Sequence, residues 1–175
     1  MIKNYGLFWE RKHVHWGAGR NRGHLKGVPA TAITSAPVDF RNQQGIYALY
    51  DESFNLVYVG QAGSKKNRLF DRLKQHQTDR LAQRWSRFSW FGVRRVLASL
   101  KLSAENTAFH PTLSEVLDHF ESIALAISEP PHNKQNSRFG SDVHQYIQHY
   151  DKENLGPPQE EMIKQIYLRI NGGQG

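Results

Sequence analysis

Two runs of strand-forming residues, Gly45-Ile46-Tyr47-Ala48-Leu49-Tyr50-Asp51 and Leu56-Val57-Tyr58-Val59-Gly60-Gln61, are separated only by a short break around Ser53-Phe54-Asn55. Runs rich in aromatic and β-branched residues that flank a tight break read as a β-hairpin. A lone hairpin is marginal in water and needs further strands or helices to cover it. The downstream sequence offers both. Residues 64–85 have a helical pattern, with Leu69, Leu73 and Leu81 on an apolar side and Arg68, Arg72, His76 and Arg80 following one another at i+4 on a second face. Residues 86–96 resemble a third strand, and Trp85, Phe88, Trp90 and Phe91 read as core residues rather than as platforms for stacked bases.

Residues 112–127 form the clearest helix. Thr112 and Glu115 have the spacing of a capping box, and Pro130-Pro131 closes the segment. Leu113, Val116, Leu117, Phe120, Ala124 and Ile127 form its expected buried stripe. Residues 143–150 suggest a short helix, Gly156-Pro157-Pro158 a linker, and residues 159–170 an amphipathic helix with Met162, Ile163, Ile166 and Ile170 inward. The order hairpin, helix, strand, helix implies an α/β (α+β) fold, with a small antiparallel sheet of about three strands flanked by helices. The expected organisation is a basic, loop-rich or short-stranded N-terminal extension (1–43), a central domain (44–140) and a C-terminal helical extension packed on it (141–175).

A chain of 175 residues with 38% hydrophobic content supports one compact domain. No apolar run approaches the ~20 residues of a membrane span, and the N-terminus lacks a secretory apolar region. The chain contains no cysteine, which excludes disulfides and thiolate zinc sites. These features together suggest a cytoplasmic protein. The net charge of +7 is unevenly placed. Residues 1–40 carry six Lys/Arg against two acids, residues 41–101 twelve against four, and residues 102–175 five against ten. Such asymmetry suits a polyanion-binding face better than charge spread for solubility.

Gly45-Ile46-Tyr47 followed by Tyr58-Val59-Gly60 resembles the two signature triplets of the GIY-YIG nuclease superfamily. Arg72 and His76 on the next helix, Glu121 on the later apolar helix and Asn133 beyond it fill the family's further positions in the same order. The resemblance covers roughly residues 44–136. It implies a metal-dependent endonuclease, with Tyr47, Tyr58, Arg72, His76, Glu121 and Asn133 as catalytic residues.

Hydrolysis of a phosphodiester needs an activated water, a partner for charge on the phosphoryl oxygens and help for the leaving 3′ oxygen. A phenol of ordinary pKa is only about 0.1% ionised at neutral pH, so a tyrosine base needs a cationic neighbour to lower its pKa. Tyr47 is the expected base and Tyr58 the orienting group, although their roles are interchangeable on sequence grounds. Arg72 suits a pair of phosphate oxygens, and His76 can donate to the phosphate or relay a proton. The family's usual spacing from the second tyrosine selects Arg68 instead, whereas the Arg-x-x-x-His spacing selects Arg72.

Glu121, at the edge of the apolar stripe and expected to be partly buried, is the candidate ligand for one Mg²⁺ or Mn²⁺ per active site. Asn133 is expected to position it. Arg20, Arg22, Lys26, Arg68, Lys74 and Arg80 are the candidate nucleic-acid contacts, within a basic arm that also contains Arg11, Lys12, Trp16 and three histidines. His13 and His15 alone lack the further ligands a transition metal requires. The expected substrate is DNA, in a restriction- or phage-defence-like role that implies a homodimer for double-strand cleavage. RNA cleavage, DNA repair and a non-catalytic nucleic-acid-binding module are the alternatives.

Overall fold

The computed structural model describes residues 1–63, 67–105, 112–128 and 139–150. The hairpin forms as expected, from β4 (Gly45–Tyr50) and β5 (Leu56–Ala62), with Tyr47 opposite Gly60 and Leu49 opposite Tyr58. The Asp51 carboxylate organises its turn by accepting the backbone N–H groups of Ser53 and Asn55, each at 2.9 Å. Strand β6 (Arg87–Gly92) pairs antiparallel with the other edge of β4, bringing Trp90 opposite Tyr47.

The fold is mixed α/β, but the sheet continues well beyond three strands. β1 (Asn4–Glu10) runs antiparallel to β6, and β7 (His144–Gln148) lies parallel to β1. β2 (Lys26–Pro29) and β3 (Val38–Asp39) complete the seven-stranded order β3-β2-β7-β1-β6-β4-β5. A bare β6 edge would leave a row of unpaired backbone groups, and the N-terminal residues fill it.

Residues 1–43 therefore follow the short-stranded of the two expected readings, and their strands join the central sheet instead of forming a separate arm. Trp9 is buried edge-on against Trp90, Phe88 and Phe40, and its indole N–H donates to the Tyr146 carbonyl at 3.1 Å. Asn4 and Gln43, both buried, are joined by a 2.8 Å side-chain hydrogen bond. Residues 144–148 are a strand instead of the expected helix. Pairing with β1 on one side and β2 on the other satisfies their backbone and overrides a weak helical pattern. Residues 151–175, including the expected amphipathic helix, lie outside the described residues.

Adjacent residues of a strand point to opposite faces, so each face of the sheet has its own core. Tyr47, Leu49, Phe88 and Trp90 pack with Leu69, Phe70 and Leu73 of α1 (Leu69–Gln75). On the other face, Phe91, Tyr5 and Ile2 pack with Ile123 of α2 (Leu113–Ser128), and Ile46 lies against this cluster.

Helix α2 has the expected capping box. Thr112 N–H donates to Glu115 at 2.8 Å, and Glu115 N–H donates to Thr112 Oγ1 at 3.3 Å. Its buried side differs from the expected stripe. Leu113, Leu117 and Phe120 are exposed, while Ser122 and Ile123 turn inward beside Ala126 and Ile127. The helix is apolar on more than one side, and contact with Ile2, Tyr5 and Phe91 selects which side is buried.

Helix α1 ends at Gln75, ten residues short of its expected end. Asp79 accepts the Leu81 backbone N–H at 2.8 Å, a local bond that competes with helix continuation. Among the described residues no helix is long and apolar enough to cross a membrane.

Candidate active site

Two glycines allow the hairpin to carry tyrosines at close range. Gly45 has φ of 146°, and a Cβ there would collide with the Phe91 carbonyl oxygen on β6. A Cβ on Gly60 would stand 2.5 Å from Tyr47 Oη and 2.7 Å from the Tyr58 ring. The bare backbone at residue 60 is therefore what lets the Tyr47 side chain cross to the neighbouring strand. Tyr58, diagonal to Tyr47 on the same face, brings its ring to 6.1 Å from the Tyr47 ring.

Helix α1 covers this face and delivers His76 at its C-terminal cap. The buried imidazole lies with Nε2 at 2.7 Å from Tyr47 Oη and Nδ1 at 2.7 Å from the Asp79 carboxylate. The Tyr58 ring approaches it edge-on at 5.0 Å. Trp85 fixes the same point of the backbone, its indole N–H donating to the His76 carbonyl at 3.0 Å.

One turn earlier, the Arg72 guanidinium lies beside both tyrosine hydroxyls. Its Nη1 donates to Gln75 Oε1 at 2.9 Å, while Nε has no hydrogen-bond partner among the described residues.

Burial pushes the Tyr47 hydroxyl up to about 12, and the Arg72 charge only partly opposes this rise. Arg72 lowers this pKa, as a cationic neighbour is expected to, but does not by itself bring it below the ordinary tyrosine value. A fully buried phenol loses more from desolvation than one partly exposed guanidinium returns. Tyr47 is thus a neutral hydroxyl at neutral pH, 2.7 Å from His76 Nε2.

The remaining candidates are distributed elsewhere. Arg68 forms an ion pair with Glu105 at the start of α1, so Arg72 is the arginine that reaches the tyrosines. Lys74 donates to the Trp16 carbonyl at 3.1 Å and, with Arg22 and Arg41, lines a pocket of about 450 Å³. Arg20, Arg22 and Arg80 are exposed, and Lys26 is half-buried on β2. Arg11, by contrast, is held inside the fold, donating to the Ala82 carbonyl and lying 4.7 Å over the Trp85 ring.

His13 stacks on Tyr150 and His15 on His24, so the two do not face a common ion. No group of three or more His, Asp or Glu side chains suited to a metal occurs among the described residues.

Glu121 is exposed rather than partly buried, on the helix that packs against the opposite face of the sheet from α1. Asn133 lies outside the described residues. The structure therefore brings together Tyr47, Tyr58, Arg72 and His76. It adds Asp79, which the sequence reading missed although His76-x-x-Asp79 places both on one side of any helix.

No protein-family model, curated protein or solved structure matches the chain. The family resemblance rests on the chain's own residues.

Proposed function

We propose that this protein is a metal-dependent endonuclease of the GIY-YIG type that hydrolyses DNA phosphodiester bonds, in a restriction- or phage-defence-like role and as a homodimer. One observation carries the reading. Two tyrosines, an arginine and a histidine that are distant in sequence meet on one face of the sheet, with Tyr47 Oη 2.7 Å from His76 Nε2 and the Arg72 guanidinium beside both hydroxyls.

In this reading Arg72 binds a non-bridging phosphoryl oxygen, and Tyr58 orients the attacking water or the phosphate. Tyr47 takes a proton from the water while giving its own to Nε2 of His76. A phenol at about 12 is a poor donor to bulk solvent, but a hydrogen bond of 2.7 Å lets the two transfers accompany each other. The uneven basic charge of residues 1–101, with Arg20, Arg22 and Arg80 exposed, supports a nucleic-acid substrate.

Glu121 enters from the resemblance alone. Its exposed carboxylate suits one Mg²⁺ or Mn²⁺ with water completing the shell, but it stands on the helix against the other face of the sheet, away from the tyrosine cluster.

The test is nicking of supercoiled plasmid with Mg²⁺, with an RNA digest run in parallel. Wild-type protein is expected to nick DNA, and Tyr47→Phe and Arg72→Ala to lose nicking while keeping wild-type circular dichroism. DNA binding without cleavage would instead establish a non-catalytic module.

A further inference from the structure

We propose that Asp79 is a positioning residue for this hydrolysis, holding the proton of His76 on Nδ1 so that Nε2 is presented to Tyr47 as an acceptor. The inference rests on the endonuclease reading above and extends it to a residue outside the family motif. The geometry is a continuous line of three side chains. The Asp79 carboxylate is 2.7 Å from His76 Nδ1, and His76 Nε2 is 2.7 Å from Tyr47 Oη.

An ionised carboxylate can only accept, so the ring nitrogen facing it must carry hydrogen. In the neutral ring Nε2 is then an acceptor, and the Tyr47 hydroxyl is the donor. Without the carboxylate, nothing would prevent the opposite tautomer, in which Nε2–H donates to Tyr47 and cannot receive its proton.

The surroundings support this assignment. Burial raises the Asp79 carboxyl, but hydrogen bonds from Leu81 N–H and His76 outweigh it and hold the group below the usual carboxylate range. Asp79 is thus ionised at neutral pH. The other groups facing the imidazole are Tyr47 from β4, Tyr58 from β5 and Arg72 one turn back on α1, with Arg80 beside Asp79. Asp79 is the carboxylate bonded to the ring. Its second oxygen accepts Leu81 N–H at 2.8 Å, which fixes the carboxylate independently of the histidine.

The proton balance is complete. As the water oxygen bonds to phosphorus and the bond to the leaving oxygen breaks, one water proton passes to Tyr47 and the Tyr47 proton passes to Nε2. The resulting imidazolium faces the Asp79 carboxylate. The leaving oxygen takes a proton from solvent, and the imidazolium later returns one.

The experiment combines long-range ¹H–¹⁵N correlation spectra of the imidazole with plasmid nicking. Wild-type His76 is expected as the Nδ1–H tautomer near pH 8. Asp79→Asn, whose amide can donate to Nδ1, is expected to favour Nε2–H. It should also slow nicking by about a hundredfold or more, with an unchanged circular dichroism spectrum. Asp79→Glu should recover part of the rate.

An Nε2–H tautomer in the wild type overturns the proposal even where Asp79→Asn fails to fold. Wild-type nicking by a folded Asp79→Asn protein also overturns it, and leaves the endonuclease reading intact. A wild-type protein that nicks nothing defeats that reading first and the role of Asp79 with it, so the two failures are distinguishable.

Discussion

The Tyr47 hydroxyl, with no exposed surface, lies 2.7 Å from Nε2 of a histidine that is itself buried. Removing the hydroxyl leaves that buried nitrogen without its partner. Tyr47→Phe is therefore expected to destabilise the fold by about 1–2 kcal/mol and to reduce nicking by about a hundredfold or more. Thermal melts and plasmid nicking measure the two effects separately. A variant with wild-type nicking would remove Tyr47 from the reaction.

The same hydroxyl sets a stability limit at high pH. Its folded pKa of about 12 lies above the ordinary tyrosine value of about 10, so the folded state holds the proton more tightly than the unfolded state. This contribution is fully present below pH 10 and is lost as pH rises from about 10 to about 12. Denaturant midpoints measured across that range should fall more steeply for the wild type than for Tyr47→Phe. Parallel slopes would show that Tyr47 titrates normally.

Gly60 tests whether motif glycines act through space. A Cβ there would meet Tyr47 Oη at 2.5 Å, so Gly60→Ala must push the tyrosine away from His76 or open the hairpin. Such overpacking costs about 1–3 kcal/mol. The expected result is a lower melting temperature with nicking lost. A fully active Gly60→Ala protein would show that the ring has room the structure does not provide.

The central hairpin, β6 and both helices were legible because each carries a local signal. These signals are paired β-forming runs, i+4 apolar spacing, and a Thr112–Glu115 capping box. β1, β2 and β7 were not legible, because what fixes them is distant. Trp9 is explained by Trp90 and Tyr146, not by its own neighbours. For the same reason the sequence could order Tyr47, Tyr58, Arg72 and His76 but could not show that burial would dominate the Tyr47 pKa. Asp79 was missed because residues 64–85 read as one uninterrupted helix, whereas the bend after Gln75 is what Asp79 stabilises.

Arg72 and Arg68, one turn apart, have different surroundings. Arg72 lies beside both tyrosines, whereas Arg68 pairs with Glu105. Arg72→Ala should lose nicking with little change in melting temperature, since its removal breaks few internal bonds. Arg68→Ala should keep most of its nicking. Single-turnover rates at saturating DNA compare the two directly, and the reverse order would move the catalytic role to Arg68.

Metal dependence bears on Glu121 without relying on the tyrosine cluster. If Glu121 holds the single ion, chelation should abolish nicking, and added Mg²⁺ or Mn²⁺ should restore it in the wild type but not in Glu121→Ala. The variant should still bind DNA, because its carboxylate is exposed and contributes negative charge to α2 rather than to the basic segments. Gel shifts and nicking on the same preparation read both properties. Metal-dependent nicking at the wild-type rate by Glu121→Ala would assign the ion to other residues, while leaving the proposed roles of Tyr47 and His76 untouched.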